Sequence, residues 1–198
     1  MTTLETLAHE LRQPLSAILS NAQAAQRLLA ALDIRELTAD DAEIYRALRL
    51  RALLEEPEAF GSSWEEENAR PLEQTVARLR AEGISAFGAF DADGHLVGMV
   101  RLFRHDGVKV RHKADIISMY VAPEARGRGV GRMLLEAAID RARATPGVEQ
   151  LLLAVNVSNT PARNLYLSLG FEPFGREPLA LKIGDHYYDE EMMALFLS

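Results

Sequence analysis

The chain contains no cysteine. That single absence excludes thiol catalysis, thiolate metal sites and disulfide stapling, and leaves the compartment open on that ground. Lysine is scarce as well: 19 of the 22 basic residues are arginine, a composition effect from which no function follows. Positive charge is outweighed, with a formal net charge of -7 and no Lys/Arg block. The summed field therefore repels polyanions, which argues against a nucleic-acid partner and suits a cationic or amine partner better. No apolar run approaches the ~18 residues of a membrane span, and no basic segment followed by an apolar core opens the chain. The expectation is a soluble, cytoplasmic protein with no membrane partner. Internal repeats and low-complexity tracts are also lacking. What remains is 198 residues, 48% hydrophobic and 26% charged, enough for one domain with a sizeable core and a small appendage.

The appendage is predicted at 1–32. Leu4, Leu7, Leu11, Leu15, Ile18, Ala22, Ala25, Leu29 and Leu32 recur by threes and fours, which places them on one stripe of a long helix. Pro14 falls inside this pattern and kinks it, and His9 lies off the stripe. From Asp33 to the end, a domain spanning 33–198, the pattern changes to short strands, turns and amphipathic helices. DIREL alternates like a strand, and Thr38 caps a helix carrying Ile44, Leu48 and Leu53. A loop with Pro57, Gly61, Ser62 and Ser63 leads to a second helix over 71–81, headed by proline. Asp93-Gly94 turns a hairpin, and DIISMYVAP forms a third long strand. A glycine turn, a helix over 129–144, the strand EQLLLAVNV, the short helix PARNLYLSL and two final strands complete the order βααβββαβαββ. This is mixed α/β with an antiparallel start.

The turn itself reads EARGRGVGR, Glu124 to Arg132. A strand entering a glycine-rich turn and a helix start gathers backbone N–H groups at the positive end of a helix dipole, a geometry that binds phosphate. Arg126, Arg128 and Arg132 add charge, while Gly127, Gly129 and Gly131 allow close approach. A Walker A loop is excluded because no lysine is near. A dinucleotide fingerprint is excluded by the glycine spacing, and because the following strand ends in Asn156 where an acidic residue would hold a ribose. These residues resemble the acetyl-CoA motif [Q/R]-x-x-G-x-[G/A] of the GNAT superfamily of acyl-CoA N-acyltransferases, filled by Arg126, Gly129 and Gly131. IRELTADDAEIYRALRLRALLEEPEAFGSSWEEE is similar to that family's opening strand and acceptor-side helices, and LLLAVNVSNTPARNLYLSLGFEPFG to its later strand, helix and N-x-x-A-x-x-L-Y-x-x-x-G-F signature.

The resemblance implies an α/β (α+β) fold with a mixed, mostly antiparallel sheet flanked by helices, acetyl-CoA as co-substrate, and a primary amine of a small molecule or protein as acceptor. Residue by residue, it implies that the Met119 N–H faces the thioester carbonyl and stabilises charge developing there, and that Val121 binds the pantetheine amide. It places the pyrophosphate on Arg126, Gly127, Arg128, Gly129, Val130, Gly131 and Arg132, and pantetheine near Asn156 and Asn159, the latter equally readable as a helix cap. Tyr166 would give a proton to the departing thiolate. No metal is implied. For a base, Glu65, Glu66, Asp115, Asp189 and Glu190 are open alternatives, and Tyr45, Phe60, Trp64, Tyr187 and Tyr188 fall in segments bordering the acceptor. The competing readings are a non-catalytic acyl-CoA sensor and a dimerisation or phosphoacceptor module fused to a passive acyltransferase domain. Separately, LAHELRQPLSAILSNAQAAQRLL resembles the H-box helix of sensor histidine kinases through His9, Glu10, Arg12 and Pro14, without the nucleotide boxes a kinase needs. It is open as a fusion remnant that dimerises or packs, an upstream extension of the coding start, or a phosphoacceptor; a homodimer through the apolar stripe is the expectation.

Overall fold

The computed structural model describes residues 32–197, so the expected helix over 3–31 and His9 lie outside the described residues. One seven-stranded sheet organises the rest: β1 (Asp33–Glu36), β2 (Ile84–Phe90), β3 (Leu96–Arg104), β4 (Lys113–Val121), β5 (Gln150–Asn156), β6 (Glu172–Ile183) and β7 (His186–Phe196). Its spatial order is β1-β2-β3-β4-β5-β7-β6. Every neighbouring pair is antiparallel except β4 with β5. The helices are α1 (Ala42–Glu55), α2 (Trp64–Ala69), α3 (Leu72–Arg80), α4 (Val130–Ala144) and α5 (Thr160–Ser168). The mixed, mostly antiparallel sheet flanked by helices agrees with the expectation.

Alternation along the strands sends side chains to two apolar layers. Phe87 and Ala89 of β2 meet Val130, Leu134, Leu135, Ala138, Ile139 and Ala142 of α4, while Ala86 and Phe90 meet Tyr45, Leu48, Ala52 and Leu53 of α1. The spacing of each set by threes and fours is what makes those helices amphipathic. Gly98 lets α4 close on the sheet, since a Cβ there would lie 2.9 Å from Leu134 Cδ1. Asp41 anchors the start of α1: Arg35 donates to it twice, at 2.8 and 2.6 Å, and the Thr38 N–H at 2.8 Å. The guanidinium bond leads in holding its carboxyl down at about 2, so this anchor persists to strongly acid pH.

One local expectation needs correction. Helix α2 occupies part of the segment expected as a loop, because Ser63 Oγ accepts from the Glu66 N–H at 3.2 Å and the Glu66 carboxylate accepts from the Ser63 N–H at 3.3 Å, closing a capping box. The β2–β3 hairpin turns through Asp91–His95, with Asp93-Gly94 inside the turn as expected. The Asp91 carboxylate accepts from the N–H groups of Asp93 and His95, and Gly94 supplies the left-handed residue with φ 81°.

Candidate active site

The only parallel pair of the sheet separates partway along. β4 and β5 are in register only from Lys113–Asp115 against Gln150–Leu152, after which the strands part. β5 remains paired to β7 as far as Asn156 opposite Glu190, so the gap opens on β4's side. A bulge in β4 accentuates it: three steps from Ile117 to Tyr120 answer two from Arg101 to Met99 on β3, and Ser118 sits at φ 56°. Bulges re-aim backbone groups and end pairing, and this one leaves Ser118 and Met119 without a partner residue on β3. The Ala122 N–H donates to Val97 O of β3 at 2.9 Å, so by strand alternation the Val121 N–H points the other way, toward the gap.

The parted strands are one wall of a cleft of about 1320 Å³. Of the twelve residues expected in the site, eleven line this cleft; Arg128 does not. At one end, Gly129 takes the left-handed conformation with φ 79° and caps α4, leaving the first-turn N–H groups of that helix facing outward. Gly131 has a packing role too, because a Cβ there would lie 3.1 Å from Leu165 Cδ2 and 3.3 Å from Met119 Cε. The arginines of the turn are tethered: Arg126 donates to Val121 O at 2.9 Å and to Glu56 at 2.5 Å, and Arg132 to Ser168 Oγ at 2.6 Å. These bonds fasten the turn to the end of β4, to the residue just after α1 and to α5.

Tyr166, in α5, is buried, with its ring edge-on to Phe171 at 6.0 Å and its residue on the cleft wall. Burial pushes its hydroxyl up to about 12, so it keeps its proton at neutral pH and can donate it. Asn159 caps α5 by accepting from the Ala162 N–H at 3.1 Å. Asn156 borders the cleft, but its amide is engaged: it donates to Glu58 O at 3.2 Å and accepts from the N–H and Oγ of Ser158 at 2.9 and 2.8 Å. Its side chain thereby ties the end of β5 to the segment after α1.

Among the five carboxylates open as a base, only Glu190 lines the cleft. Burial, and then the nearby Glu177 charge, raise its carboxyl above the usual range. Asp115 instead contacts His105 at 3.1 Å, Asp189 accepts from Arg176 at 2.6 Å, Glu66 caps α2, and Glu65 is exposed. Of the aromatic residues, Tyr45 and Phe60 line the cleft while Trp64, Tyr187 and Tyr188 do not. Sequence reasoning missed Arg49 and Arg101, which line it too. A signal existed for Arg49, since it falls among Tyr45, Leu48, Ala52 and Leu53 on the buried face of α1.

This arrangement has clear relatives. The model of the Acetyltransferase (GNAT) family matches residues 47–171. The chain is 32% identical over 146 residues to a mycothiol acetyltransferase of Clavibacter sepedonicus, covering 74% of this chain and 44% of that one. It spans about half the length of the curated relatives it matches. A GCN5-related N-acetyltransferase from Kribbella flavida superposes with a TM-score of 0.71 at 29% identity, covering 85% of this chain and 99% of that one. The yncA structure of Salmonella typhimurium, which holds its cofactor acetyl-CoA, superposes with a TM-score of 0.74 at 22% identity over 84% of this chain and 94% of its own. With a family model that matches well over half of its length, the chain belongs to the Acetyltransferase (GNAT) family.

Proposed function

We propose that residues 33–198 form an N-acetyltransferase that moves the acetyl group of acetyl-CoA directly to a primary amine of a small molecule or protein. The observation that carries this reading is one cleft that joins a parted strand edge, the start of α4 and the Tyr166 side chain. The residues fit the co-substrate. An open strand edge can take up an extended amide-bearing arm as an added strand, and a helix start behind a left-handed glycine suits a pyrophosphate. Acetyl-CoA supplies an activated acyl carbon and a thiolate leaving group.

The protein's own part is orientation and proton handling. The Met119 N–H is the preorganised donor toward charge developing on the acyl oxygen, and the Val121 N–H aligns the arm. Arg126 to Arg132 bind the phosphates through backbone N–H groups and the charge they add. The half-buried Glu190 carboxylate takes the proton from the amine, and Tyr166 gives one to the departing sulfur as the new N–C bond replaces the C–S bond. In this reading the protein works in the cytoplasm, and the apolar stripe over 3–31 pairs two copies.

Acetyl-CoA should raise the melting temperature. A ligand at 100 times its Kd stabilises the native state by ~2.7 kcal/mol, roughly 5–10 °C for a domain of this size. No shift at saturating acetyl-CoA would remove the reading. Glu190 adds a pH test. A base must be ionised to work, and its raised pKa moves the acid limb of kcat/KM upward, so the rate should climb as Glu190 loses its proton. Glu190→Gln should lower kcat/KM by about 10²-fold and abolish that limb. An unaltered pH profile in the variant would assign the base elsewhere.

A further inference from the structure

Beyond the parted strands, the cleft continues between α1 and β3, and its wall there is cationic. Arg49 is only 7% exposed, and its Nη1 is buried with no hydrogen-bond partner among the described residues. No carboxylate of the described residues lies within ion-pair distance of it; its guanidinium instead lies over the Phe60 ring, 4.3 Å from the centre. Arg101 follows Met99 on the α1 face of β3, opposite Ile117, and its Nε is likewise buried without a partner. The Tyr45 hydroxyl, lining the same space, is a third buried polar atom left unmatched. Nearby, Arg70 and Arg78 share the buried Glu67 carboxylate, at 2.6 and 2.9 Å. Arg49, Arg70, Arg78 and Arg101 all line the cleft, and the Glu67 carboxylate beside them is already shared by two of them.

Such a bay is costly in the free protein. A buried charge without a counter-charge is strongly unfavourable, and unmatched buried donors lose their water bonds. Burial is the main influence and lowers the pKa of Arg49; Tyr45 and the Glu67 charge pull it back up, and Arg101 and Arg78 lower it again. Guanidinium presents a planar fork of donors that fits a two-oxygen anion, while it repels an ammonium group. The bay is also separate from the phosphate end. Val121 adjoins the glycine turn and pairs with Gly98, which lies three residues along β3 from Arg101, roughly 10 Å away.

Resting on the acetyl-transfer reading, we propose that Arg49, Arg101 and Tyr45 form an acceptor-recognition site for the carboxylate of an α-amino acid, whose amine is thereby presented to the cleft wall at Met119. A bound carboxylate supplies the missing counter-charge and accepts from the unmatched donors. Polyamines, with ammonium groups at every end, are disfavoured by the same charges.

The test is thiol release by the full chain, with saturating acetyl-CoA and a panel of α-amino acids, their carboxamides, their phosphonate analogues and spermidine. At least one amino acid should be turned over, and its carboxamide should be at least about 10²-fold poorer in kcat/KM. Arg49→Met should raise the KM for that amino acid by about 10- to 100-fold, the usual loss for a hydrogen bond to a charged group. It should leave the acetyl-CoA melting shift intact and raise the melting temperature of the free protein, because a buried charge with no ion-pair partner is gone. Arg101→Met, in a strand rather than a helix, should raise the same KM. Equal use of acid and amide, preference for spermidine or a phosphonate, or turnover of no amino acid would each overturn the proposal. So would loss of the acetyl-CoA shift in a folded Arg49→Met, which would assign the bay to the co-substrate. If the parent chain shows no acetyl-CoA shift, the acetyl-transfer reading has failed, and this inference falls with it.

Discussion

Tyr166→Phe is expected to lower turnover by ~10²–10⁴-fold, the usual contribution of a positioned proton donor, while leaving the affinity for acetyl-CoA unchanged. The substitution isolates the hydroxyl. Tyr166 is 6% exposed, and its ring meets Phe171 edge-on at 6.0 Å, contacts that phenylalanine reproduces. The hydroxyl held at about 12 is protonated across the neutral range, so the parent protein should show no loss of proton donation until strongly alkaline pH. The linkage has a definite sign. A tyrosine whose folded pKa is raised favours the native state fully below its ordinary value of 10.0 and loses that advantage as pH rises toward 12. Tyr166→Phe should therefore flatten part of the alkaline fall in melting temperature while reducing catalysis at neutral pH. A loss of less than about tenfold, with chemistry rate-limiting, would reduce Tyr166 to a packing residue.

Gly127→Glu should abolish the acetyl-CoA melting shift, a loss of roughly 5–10 °C under conditions that saturate the parent. Position 127 is the cleanest probe in the turn. A Cβ there would meet nothing within 4 Å, so the side chain has room, and the φ of 71° is its only local conformational constraint. Gly131 faces Leu165 and Met119 closely, and Gly129 caps α4, so substitutions at either disturb the fold as well. A non-glycine residue in the left-handed region costs ~1–2 kcal/mol, less for asparagine, which tolerates it. Gly127→Asn therefore controls for the backbone, and most of the ligand shift should survive in it. An equal shift in Gly127→Glu and in the parent would place the phosphates away from the turn.

Much of this site was legible because its parts are local. The glycine turn, the helix behind it and the tyrosine of the next helix each lie within a short run of sequence, and eleven of the twelve expected residues border one cleft. The apolar face of α4 was readable from its spacing alone. Legibility ended where the outcome depends on partners distant in sequence. The parting of β4 from β5 after Asp115 is a property of pairing, and neither strand's pattern announces it. Asn156 has the residue type of a ligand, yet its amide is occupied by Glu58 O, 98 positions away. Arg49 carried a signal in its place among the apolar residues of α1, whereas the placing of Arg101 depends on how β3 pairs within the sheet. The short helix α2 was a different failure, since its Ser63–Glu66 capping box was present in the sequence and outweighed the turn-forming residues just before it.

Release of free thiol from acetyl-CoA, measured together with the mass of the amine product, tests the central claim most directly. The account predicts that thiol appears only when protein and an amine acceptor are both present, in equal amount to an acceptor heavier by one acetyl group. Tight binding of acetyl-CoA with no acceptor-dependent thiol release across amino acids, peptides, polyamines and aminoglycosides would contradict it, and would make the chain a binding protein built on an acetyltransferase fold.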